Sequence, residues 1–266
     1  CRATGEPDPL PHGDAKMRGI VVVGVSAAAA GLLALAPRAR GTTWTEGFAR
    51  IFRSFSSAPS GPLGWISTHW VMPRLHGPMY PVMAEALDLR AEDELLEIGC
   101  GSGIFLDRHA TVASYVAGLD LSDLQIDLAR ERLAGRIAAG TAEIVKGDAA
   151  DLPWQDGRFS AVTCMGSMGL FPDTPRVLAE VLRVLRPGGR AVLEMGVRLP
   201  EGAETYRRME FWYWDEADAR RLVEEAGFVD VSVSYRDVVL NRFSTFEGMR
   251  IVRGTKVTAP VEEVVA

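Results

Sequence analysis

The sequence is poor in the residues that build metal clusters and disulfide frameworks. Its 266 residues include three cysteines, at positions 1, 100 and 164, and four histidines, at positions 12, 69, 76 and 109. Neither set has the spacing of a metal site, and the cysteines lack the pattern of a disulfide framework. We therefore expect no bound metal, and we interpret Cys100 and Cys164 first as small hydrophobic residues.

Basic residues are also too scattered for a nucleic-acid partner. The formal net charge is −6, and no stretch of Lys and Arg is long enough to follow a phosphate backbone. The hydrophobic content of 47% is sufficient for the core of one α/β domain with extensions. A small molecule is therefore a better candidate for the partner than a nucleic acid.

Long uncharged runs are scarce, and residues 19–36 form one that just reaches the length of a membrane span. Three interpretations stay open: a membrane anchor, a signal-like segment and a buried helix. We predict an anchor within residues 19–40, with the domain that follows it in the cytoplasm, because four arginines follow within residues 38–53. Residues 1–18, rich in Pro, Gly and charge, are expected to be a disordered or non-native extension.

The most informative segment is residues 95–103, Leu-Leu-Glu-Ile-Gly-Cys-Gly-Ser-Gly. A short apolar run followed by glycines at alternate positions predicts a buried parallel strand that ends in a tight turn. Glycine permits a positive φ and the close approach of a ligand. Residues 104–110 can begin a helix, so the pattern predicts a ligand at the carboxyl end of the first strand of a doubly wound sheet.

A second apolar run, residues 115–119, ends at Asp120, an acid placed 17 residues after Gly103. A carboxylate there can accept hydrogen bonds from both hydroxyls of a ribose. Ser122 has the position of a helix N-cap, with Gln125 three residues later as its capping-box partner. The Gln125 side chain is also a candidate for a contact with the ligand.

Alternating strands and helices continue along the chain. The expected elements are strands at residues 142–145, 159–164, 191–195, 229–235 and 249–252, and helices at residues 78–89, 174–186 and 215–226. Residues 186–190, Arg-Pro-Gly-Gly-Arg, predict a turn before the fifth strand, and Gly227 predicts the end of the last helix.

These motifs resemble those of class I S-adenosylmethionine-dependent methyltransferases, in which an acidic residue precedes the pattern G-x-G-x-G. Glu97 and the three glycines that follow it match that first motif, and Asp120 matches the acid of the second strand. Residues 147–149, Gly-Asp-Ala, match the third motif, and residues 185–189, Leu-Arg-Pro-Gly-Gly, are a further hallmark. The resemblance covers about residues 77–256.

The resemblance implies a Rossmann-like methyltransferase fold: α/β, with a doubly wound, seven-stranded, mostly parallel sheet and helices on both faces. It also implies S-adenosylmethionine as co-substrate, with Glu97 orienting its amino-acid end, Asp120 holding the ribose and Asp148 holding the adenine. The expected donor-binding residues are Glu97, Gly99, Cys100, Gly101, Gly103, Asp120, Leu121, Gln125, Asp148, Ala149 and Cys164. For Asp148, a turn residue that caps its own loop is the alternative.

The acceptor is expected to be a small or lipid-like molecule, because the chain is similar to the branch that includes quinone-biosynthesis and sterol methyltransferases. The aromatic residues within 196–214 are expected to line its pocket. Transfer to a carbon acid or a hydroxyl can require a general base. The candidates for that base are His76, Tyr80, His109 and Tyr206.

The predicted organisation places amino-terminal helices in residues 41–90, including an amphipathic one at 44–55, the S-adenosylmethionine-binding domain in 91–256 and a flexible tail in 257–266. Two functions of other classes stay open. A nicotinamide-dependent oxidoreductase would need its third glycine one residue later than Gly103. A non-catalytic nucleoside-binding or scaffold protein would share the fold and the site but not the turnover.

Overall fold

The computed structural model describes residue 59 and residues 61–198, 214–237 and 248–258. The chain divides into two compact units, Cys1–Phe48 and Ala49–Ala266, and all the described residues belong to the second. Part of the predicted organisation therefore lies outside the described residues: the extension 1–18, the segment 19–40, the helical pattern 44–55, Tyr206 with most of the segment 196–214, and most of the tail 257–266. Among the described residues, no helix is long and apolar enough to cross a membrane.

Seven strands form one mixed sheet in the described part of the chain. They are β1 Glu94–Ile98, β2 Tyr115–Asp120, β3 Ala142–Lys146, β4 Phe159–Cys164, β5 Leu185–Arg198, β6 Phe228–Arg236 and β7 Gly248–Lys256. Their order is β3-β2-β1-β4-β5-β7-β6. Strands β1 to β5 are parallel to one another, and β7 is antiparallel to both β5 and β6. The predicted doubly wound, mostly parallel sheet is confirmed.

Helices follow the strands and precede β1. They are α1 Gly61–Ile66, α2 Met72–His76, α3 Met79–Leu87, α4 Ile104–Arg108, α5 Asp123–Arg132, α6 Ala134–Ala138, α7 Thr174–Val184 and α8 Glu216–Glu225. A π-helical turn, Ser67–Val71, joins α1 to α2. The side chains of Ser122, Asp173 and Asp215 accept hydrogen bonds from the first turns of α5, α7 and α8, so that short polar residues mark these helix starts.

Both faces of the sheet are buried, which explains why its central strands are almost continuously apolar. Successive residues of a strand point to opposite faces. Leu95 accordingly packs in a cluster with Leu87, Phe105 and Ile126, whereas Leu96 packs in another with Val181. Helices α3, α4 and α5 thus cover one face, and α7 and α8 cover the other.

The start of β5 differs from the prediction. The helix α7 ends at Val184, two residues early, and the strand begins at Leu185 instead of after a turn at 186–190. Leu185 pairs with Phe159 and Arg190 pairs with Ala161, so the residues between them bulge out of the ladder. The Pro-Gly-Gly sequence therefore forms a bulge within the strand, because pairing with β4 resumes on both sides of it.

A buried ion pair ties the sheet to the helix that precedes it. Arg190 donates from Nη2 to Asp93 Oδ2 at 2.6 Å and from Nε to the Leu87 carbonyl at 2.7 Å. Burial alone would raise the pKa of Asp93, but hydrogen bonds from Arg190 and Ser160 outweigh it and lower that pKa to about 2. The pair therefore stabilises the fold only while Asp93 is ionised.

Replacing Arg190 with Ala should destabilise the domain, because it leaves the Asp93 carboxylate buried without its cation. We expect a loss of about 3–5 kcal/mol in the free energy of unfolding, measured by urea denaturation at neutral pH. The exposed pair Arg221–Asp218 provides a matched control, since Arg221→Ala should cost less than about 1 kcal/mol. In the unchanged chain, this contribution is fully present above pH 4 and is lost as the pH falls toward 2. Equal destabilisation by the two variants would contradict the assignment.

Candidate functional site

The site lies at the carboxyl edge of the sheet, where the strand order reverses. Strand β1 has β2 on one side and β4 on the other, and such a switch point opens a crevice for ligands in doubly wound folds. The turn that follows β1 and the loop that follows β4 touch there. A Cβ atom on Gly99 would lie 2.3 Å from Ser167 Oγ, so that Gly99 is required for this contact.

Gly101 has room for a side chain beside it. Its φ is +53°, and a Cβ atom placed on it would have no protein neighbour closer than the Gln125 side chain at 3.8 Å. Gly103 is different, because a Cβ atom there would lie 3.1 Å from Ala129 of α5. Of the expected glycines, Gly101 is therefore the one beside which a ligand has room, and Gly99 and Gly103 serve close packing.

Asp120 holds the glycine turn in place. Its Oδ2 accepts a hydrogen bond from the Gly101 amide at 3.0 Å, and its Oδ1 accepts one from the Ser122 amide at 2.9 Å. Burial raises the pKa of Asp120, against the effect of these backbone bonds. Each carboxylate oxygen has a second lone pair, so Asp120 keeps the capacity to accept two ribose hydroxyls.

Glu97 is a buried carboxyl group that lacks a partner. Its side chain is 3% exposed, and Oε2 makes no hydrogen bond within the described part of the chain. Burial, and then the nearby charge of Asp120, raise its pKa well above the usual value. Because buried polar groups in folded proteins are almost always paired, this oxygen marks a place where a ligand supplies the missing partner.

Gln125 does not complete the capping box that the sequence offers. Ser122 does cap α5, since its Oγ accepts from the Gln125 amide at 3.5 Å. The reciprocal capping-box bond is not made, because the Ser122 amide donates to Asp120 instead. The Gln125 carboxamide lies beside Gly101, and its Oε1 is buried without a hydrogen-bond partner. Its position therefore favours a ligand contact over the capping box.

The expected adenine-binding residues follow β2 and β3 at the same edge. The Gly147 amide donates to the Asp120 carbonyl at 3.1 Å, which joins the two strand ends. Asp148 is exposed, and its Oδ1 accepts from the Ala150 amide at 2.9 Å, which is the loop-capping contact. Its Oδ2 is still available to a ligand. Leu121 is 48% exposed, so an apolar surface stands uncovered next to Asp120.

The side chains of the two cysteines at this edge pack in the core. Cys100 and Cys164 are free and buried, and burial raises the pKa of both thiols. The Cys100 sulfur occupies the space that a side chain on Gly118 of β2 would need. Any contact of these residues with a ligand would therefore run through their backbone. No group of metal-ligating side chains occurs among the described residues.

The amino-terminal helices reach across this edge of the sheet. The Ser122 hydroxyl, after β2, donates to the Pro59 carbonyl at 3.1 Å. At the other end, a Cβ atom on Gly166, after β4, would lie 3.0 Å from the His76 ring. Because β1 lies between β2 and β4, residues 61–76, which we call the crossing segment, pass over the end of β1 and its glycine turn. An open cleft of about 610 Å³ lies between Leu121 and the start of this segment, at Pro62 and Trp65.

The expected bases occupy different surroundings. His76 lies against Gly166, and Tyr80 and His109 pack in an aromatic cluster with Phe105, with ring centroids 5.6 to 6.1 Å apart. Burial, and then the charge of Glu97, raise the pKa of Tyr80, so its hydroxyl stays protonated. Tyr206 lies outside the described residues. Two described candidates therefore lie near the site: His76 contacts the loop after β4, and Tyr80 interacts with the charge of Glu97.

Two features of the site were missed by sequence reasoning. Ser67 and Thr68, in the π-helical turn of the crossing segment, have buried hydroxyls without hydrogen-bond partners. Glu194 lies buried on β5, where its carboxylate accepts from the amides of Gly166 at 3.0 Å and Gly196 at 2.8 Å. Burial raises its pKa to about 7. A carboxylate within the apolar run 191–195 was a signal for Glu194, whereas nothing local marked the two hydroxyls.

Comparisons with known proteins agree with this geometry. Residues 96–193 match the family described as "Methyltransferase domain". The 27-O-demethylrifamycin SV methyltransferase of Amycolatopsis mediterranei is 35% identical over 53% of this chain and 49% of its own length. The phthiotriol/phenolphthiotriol dimycocerosates methyltransferase of Mycobacterium tuberculosis is 40% identical over 44% of this chain and 42% of its own length. The chain thus spans less than half the length of the curated relatives it matches.

Solved structures show the same fold at lower identity. An S-adenosylmethionine-dependent methyltransferase from Thermotoga maritima is 21% identical, with a TM-score of 0.54 over 72% of this chain and 98% of that one. The cyclase SpnF is 18% identical, with a TM-score of 0.55 over 91% of this chain and 94% of that one. One fold thus serves a methyltransferase and a cyclase, so the fold alone does not define the reaction. Residues 96–193 of this chain are thus similar to a methyltransferase domain, and the curated relatives named above are methyltransferases.

Proposed function

We propose that this chain is an S-adenosylmethionine-dependent methyltransferase that acts on a small-molecule or lipid-like acceptor. One observation carries the proposal: two buried oxygens without partners, Glu97 Oε2 and Gln125 Oε1, lie beside an open glycine turn that Asp120 holds in place. A polar ligand that carries hydrogen-bond donors is needed at that position. The residues therefore fit the donor that the family uses.

Each group at the edge has a role in holding the donor. Asp120 accepts the ribose hydroxyls, and Glu97 and Gln125 accept hydrogen bonds from the amino-acid end. Asp148, through its Oδ2, accepts from the adenine amino group, and the Ala149 amide donates to the ring. Gly101 leaves the space that the sugar needs, and the exposed Leu121 covers one face of the adenine.

The chemistry needs little from the protein besides position. The donor carries its methyl group on a sulfonium, which makes it an activated electrophile for in-line displacement. The protein binds and orients both reactants and keeps water away. The crossing segment covers the glycine turn with its buried residues facing inward, and this cover keeps water out.

The class of acceptor is supported by the names of the relatives. They include methyltransferases of demethylrifamycin, of phthiotriol dimycocerosates and, in Symbiobacterium thermophilum, of demethylmenaquinone, all of them small or lipid-like molecules. The absence of a basic track in the sequence agrees with such an acceptor rather than a nucleic acid.

Calorimetric titration of the whole chain with S-adenosylmethionine, S-adenosylhomocysteine and NADH tests the cofactor. We expect both sulfur nucleosides to bind and NADH not to bind. Binding of NADH alone would replace the proposal with an oxidoreductase. Binding of the sulfur nucleosides without methylation of any acceptor in a broad panel of small and lipid-like molecules would support a nucleoside-binding scaffold instead.

Replacing Asp120 with Ala should weaken donor binding, because it removes the acceptor of two ribose hydroxyls and frees the Gly101 amide. We expect a loss of about 1–3 kcal/mol, which is roughly a 5- to 150-fold rise in Kd in the same titration. Asp127→Ala is the matched control, since Asp127 is an exposed acid on α5. Unchanged affinity in the Asp120 variant would remove this residue from the site.

Donor binding should release protons through Glu97. Its raised pKa in the free protein falls when the ammonium group of the donor's amino-acid end approaches, so the affinity rises with pH between the pKa values of the bound and free states. Titrations at one pH in buffers of different ionisation enthalpy should therefore show a buffer-dependent heat, equivalent to at most about one proton. Glu97→Gln should abolish that dependence. A heat that is the same in all buffers for the unchanged chain would contradict the role.

We propose, finally, that residues 19–40 attach the chain to membranes. The uncharged run 19–36 and the arginines that follow it support this proposal. The whole chain should float with anionic phospholipid vesicles in a density gradient, whereas residues 41–266 should stay in the soluble fractions with unchanged donor affinity. Equal flotation of the two chains would locate membrane binding elsewhere or exclude it.

A further inference from the structure

The outer side of the crossing segment carries large apolar side chains that face solvent. Trp65 and Trp70 are 48% and 49% exposed, and Ile66 between them is exposed as well. Of the eight large hydrophobic side chains that are exposed in the described part of the chain, these three lie within six consecutive residues. Single exposed hydrophobic residues are common on protein surfaces, but a concentrated group marks an interaction surface.

Helical spacing places these side chains along one face. Exposed residues recur every four positions from 62 to 74, and residues four apart lie above one another on a helix. Ser67 and Thr68 are buried, so the segment has a covered side and an outer side. The exposed set, which we call the outer stripe, consists of Pro62, Trp65, Ile66, Trp70 and Arg74.

Neighbouring side chains hold both indole rings of the stripe in position. The Trp65 ring stacks on His69 with centroids 4.2 Å apart, and His69 Nδ1 lies 2.8 Å from the Trp65 carbonyl oxygen. The Arg74 guanidinium lies over the Trp70 ring, 5.0 Å from its centroid, and donates to the Trp70 carbonyl at 2.9 Å. The indoles are therefore ordered before any partner arrives, which lowers the entropy cost of docking.

The charge around the outer stripe favours an anionic surface as its partner. Residues 47–84 contain no Asp or Glu, although the whole chain has 35 of them and a net charge of −6. Across the cleft, the exposed carboxylate of Asp123 is paired with Lys146 at 2.7 Å. In the sequence, the uncharged run 19–36 and the four arginines within 38–53 come before the stripe. Indole rings beside an arginine, with no acid among them, are typical of segments that lie at the surface of an anionic membrane.

We propose that the outer stripe docks the domain on an anionic lipid surface, with Trp65 and Trp70 at the level of the headgroups and Arg74 beside the lipid phosphates. The proposal stands apart from methyl transfer, because docking needs neither a donor nor an acceptor. It also differs from the attachment proposed for residues 19–40, since it assigns lipid contact to the helix that covers the glycine turn. In the docked state, this helix lies between the glycine turn and the lipid.

Fluorescence quenching by vesicles with brominated acyl chains tests this contact in the whole chain, because bromine quenches the indoles that reach the lipid. Trp65→Phe and Trp70→Phe each remove one reporter and keep an apolar ring, so that docking is retained. Trp154→Phe is the matched control, because Trp154 is 9% exposed and packs edge-on against Phe159. The vesicles are brominated phosphatidylcholine with or without phosphatidylglycerol, and thermal unfolding checks the fold of each variant.

We expect vesicles with phosphatidylglycerol to quench the unchanged chain more than vesicles of phosphatidylcholine alone, and added salt to weaken the quenching. The quenched fraction of the emission should fall in Trp65→Phe and in Trp70→Phe, and it should rise in Trp154→Phe, which loses an indole that the lipid does not reach. Arg74→Gln should lower the ratio of docked to undocked protein about fivefold, the effect of one cation at an anionic surface. Arg221→Gln, which removes an exposed arginine of α8, should leave that ratio unchanged.

Other outcomes overturn the proposal in distinguishable ways. If the chain floats with vesicles but Trp65 and Trp70 contribute nothing to the quenching, the stripe is excluded and the attachment through residues 19–40 is retained. Equal quenching by the two kinds of vesicle would exclude the anionic surface.

Occupants other than lipid are tested without vesicles. Acrylamide, a quencher dissolved in water, should reach both indoles of the stripe in the free chain. Protection of Trp65 and Trp70 from acrylamide would instead show that protein covers the stripe. A lower molar mass by light scattering in the double variant Trp65→Ser, Trp70→Ser would then identify a second copy as the cover, and an unchanged mass would identify another segment of the same chain.

Discussion

Three carboxylates at one edge of the sheet, two of them buried and Asp120 half-buried, determine the character of the site. Glu194 is satisfied by two backbone amides, and Asp120 is satisfied by two others, so both fix loops in place. Glu97 lies between them in the strand order and has an oxygen with no partner. Leaving a buried oxygen unpaired costs free energy, which the fold must recover elsewhere or through a ligand. The chain itself therefore holds the loops in place, and the unpaired oxygen of Glu97 is left to bond with a ligand.

The acidic residues at this edge of the sheet also fix the loops that surround the site. Asp120, at the end of the second strand, accepts a hydrogen bond from the Gly101 amide, so the carboxylate proposed to bind the ribose also fixes the glycine turn. Glu194 accepts from the Gly166 amide in the same way, and Gly166 lies against His76. Each of these two carboxylates thus holds one loop through a glycine amide. Both hydrogen bonds depend on parallel strands that end at the same edge of the sheet.

Much of the donor side could be predicted from the sequence, because its signals are local. Strands β1, β2, β3 and β4 lie within one residue of their predicted ranges. This agreement arises because strands buried on both faces appear in the sequence as short apolar runs. The start of β5 was wrong, because Pro187 and the glycines after it indicate a turn in isolation, and only pairing with β4 makes them a bulge. The role of Gln125 was ambiguous for a similar reason: the capping box competes with a bond from Ser122 to Asp120 that spacing does not reveal.

The contacts of the crossing segment could not be predicted in this way, because they join segments far apart in the chain. His76 meets Gly166 across 90 residues, and the hydroxyls of Ser67 and Thr68 acquire meaning only from the crossing of β1 by their helix. A glycine turn is constrained by the donor that the whole family shares, so its residues form a motif. A lid over the acceptor is constrained by a substrate that differs between relatives, from a rifamycin to a quinone. In this fold, the glycine turn can therefore be recognised from the sequence, whereas the contacts of the crossing segment can be recognised only from the structure.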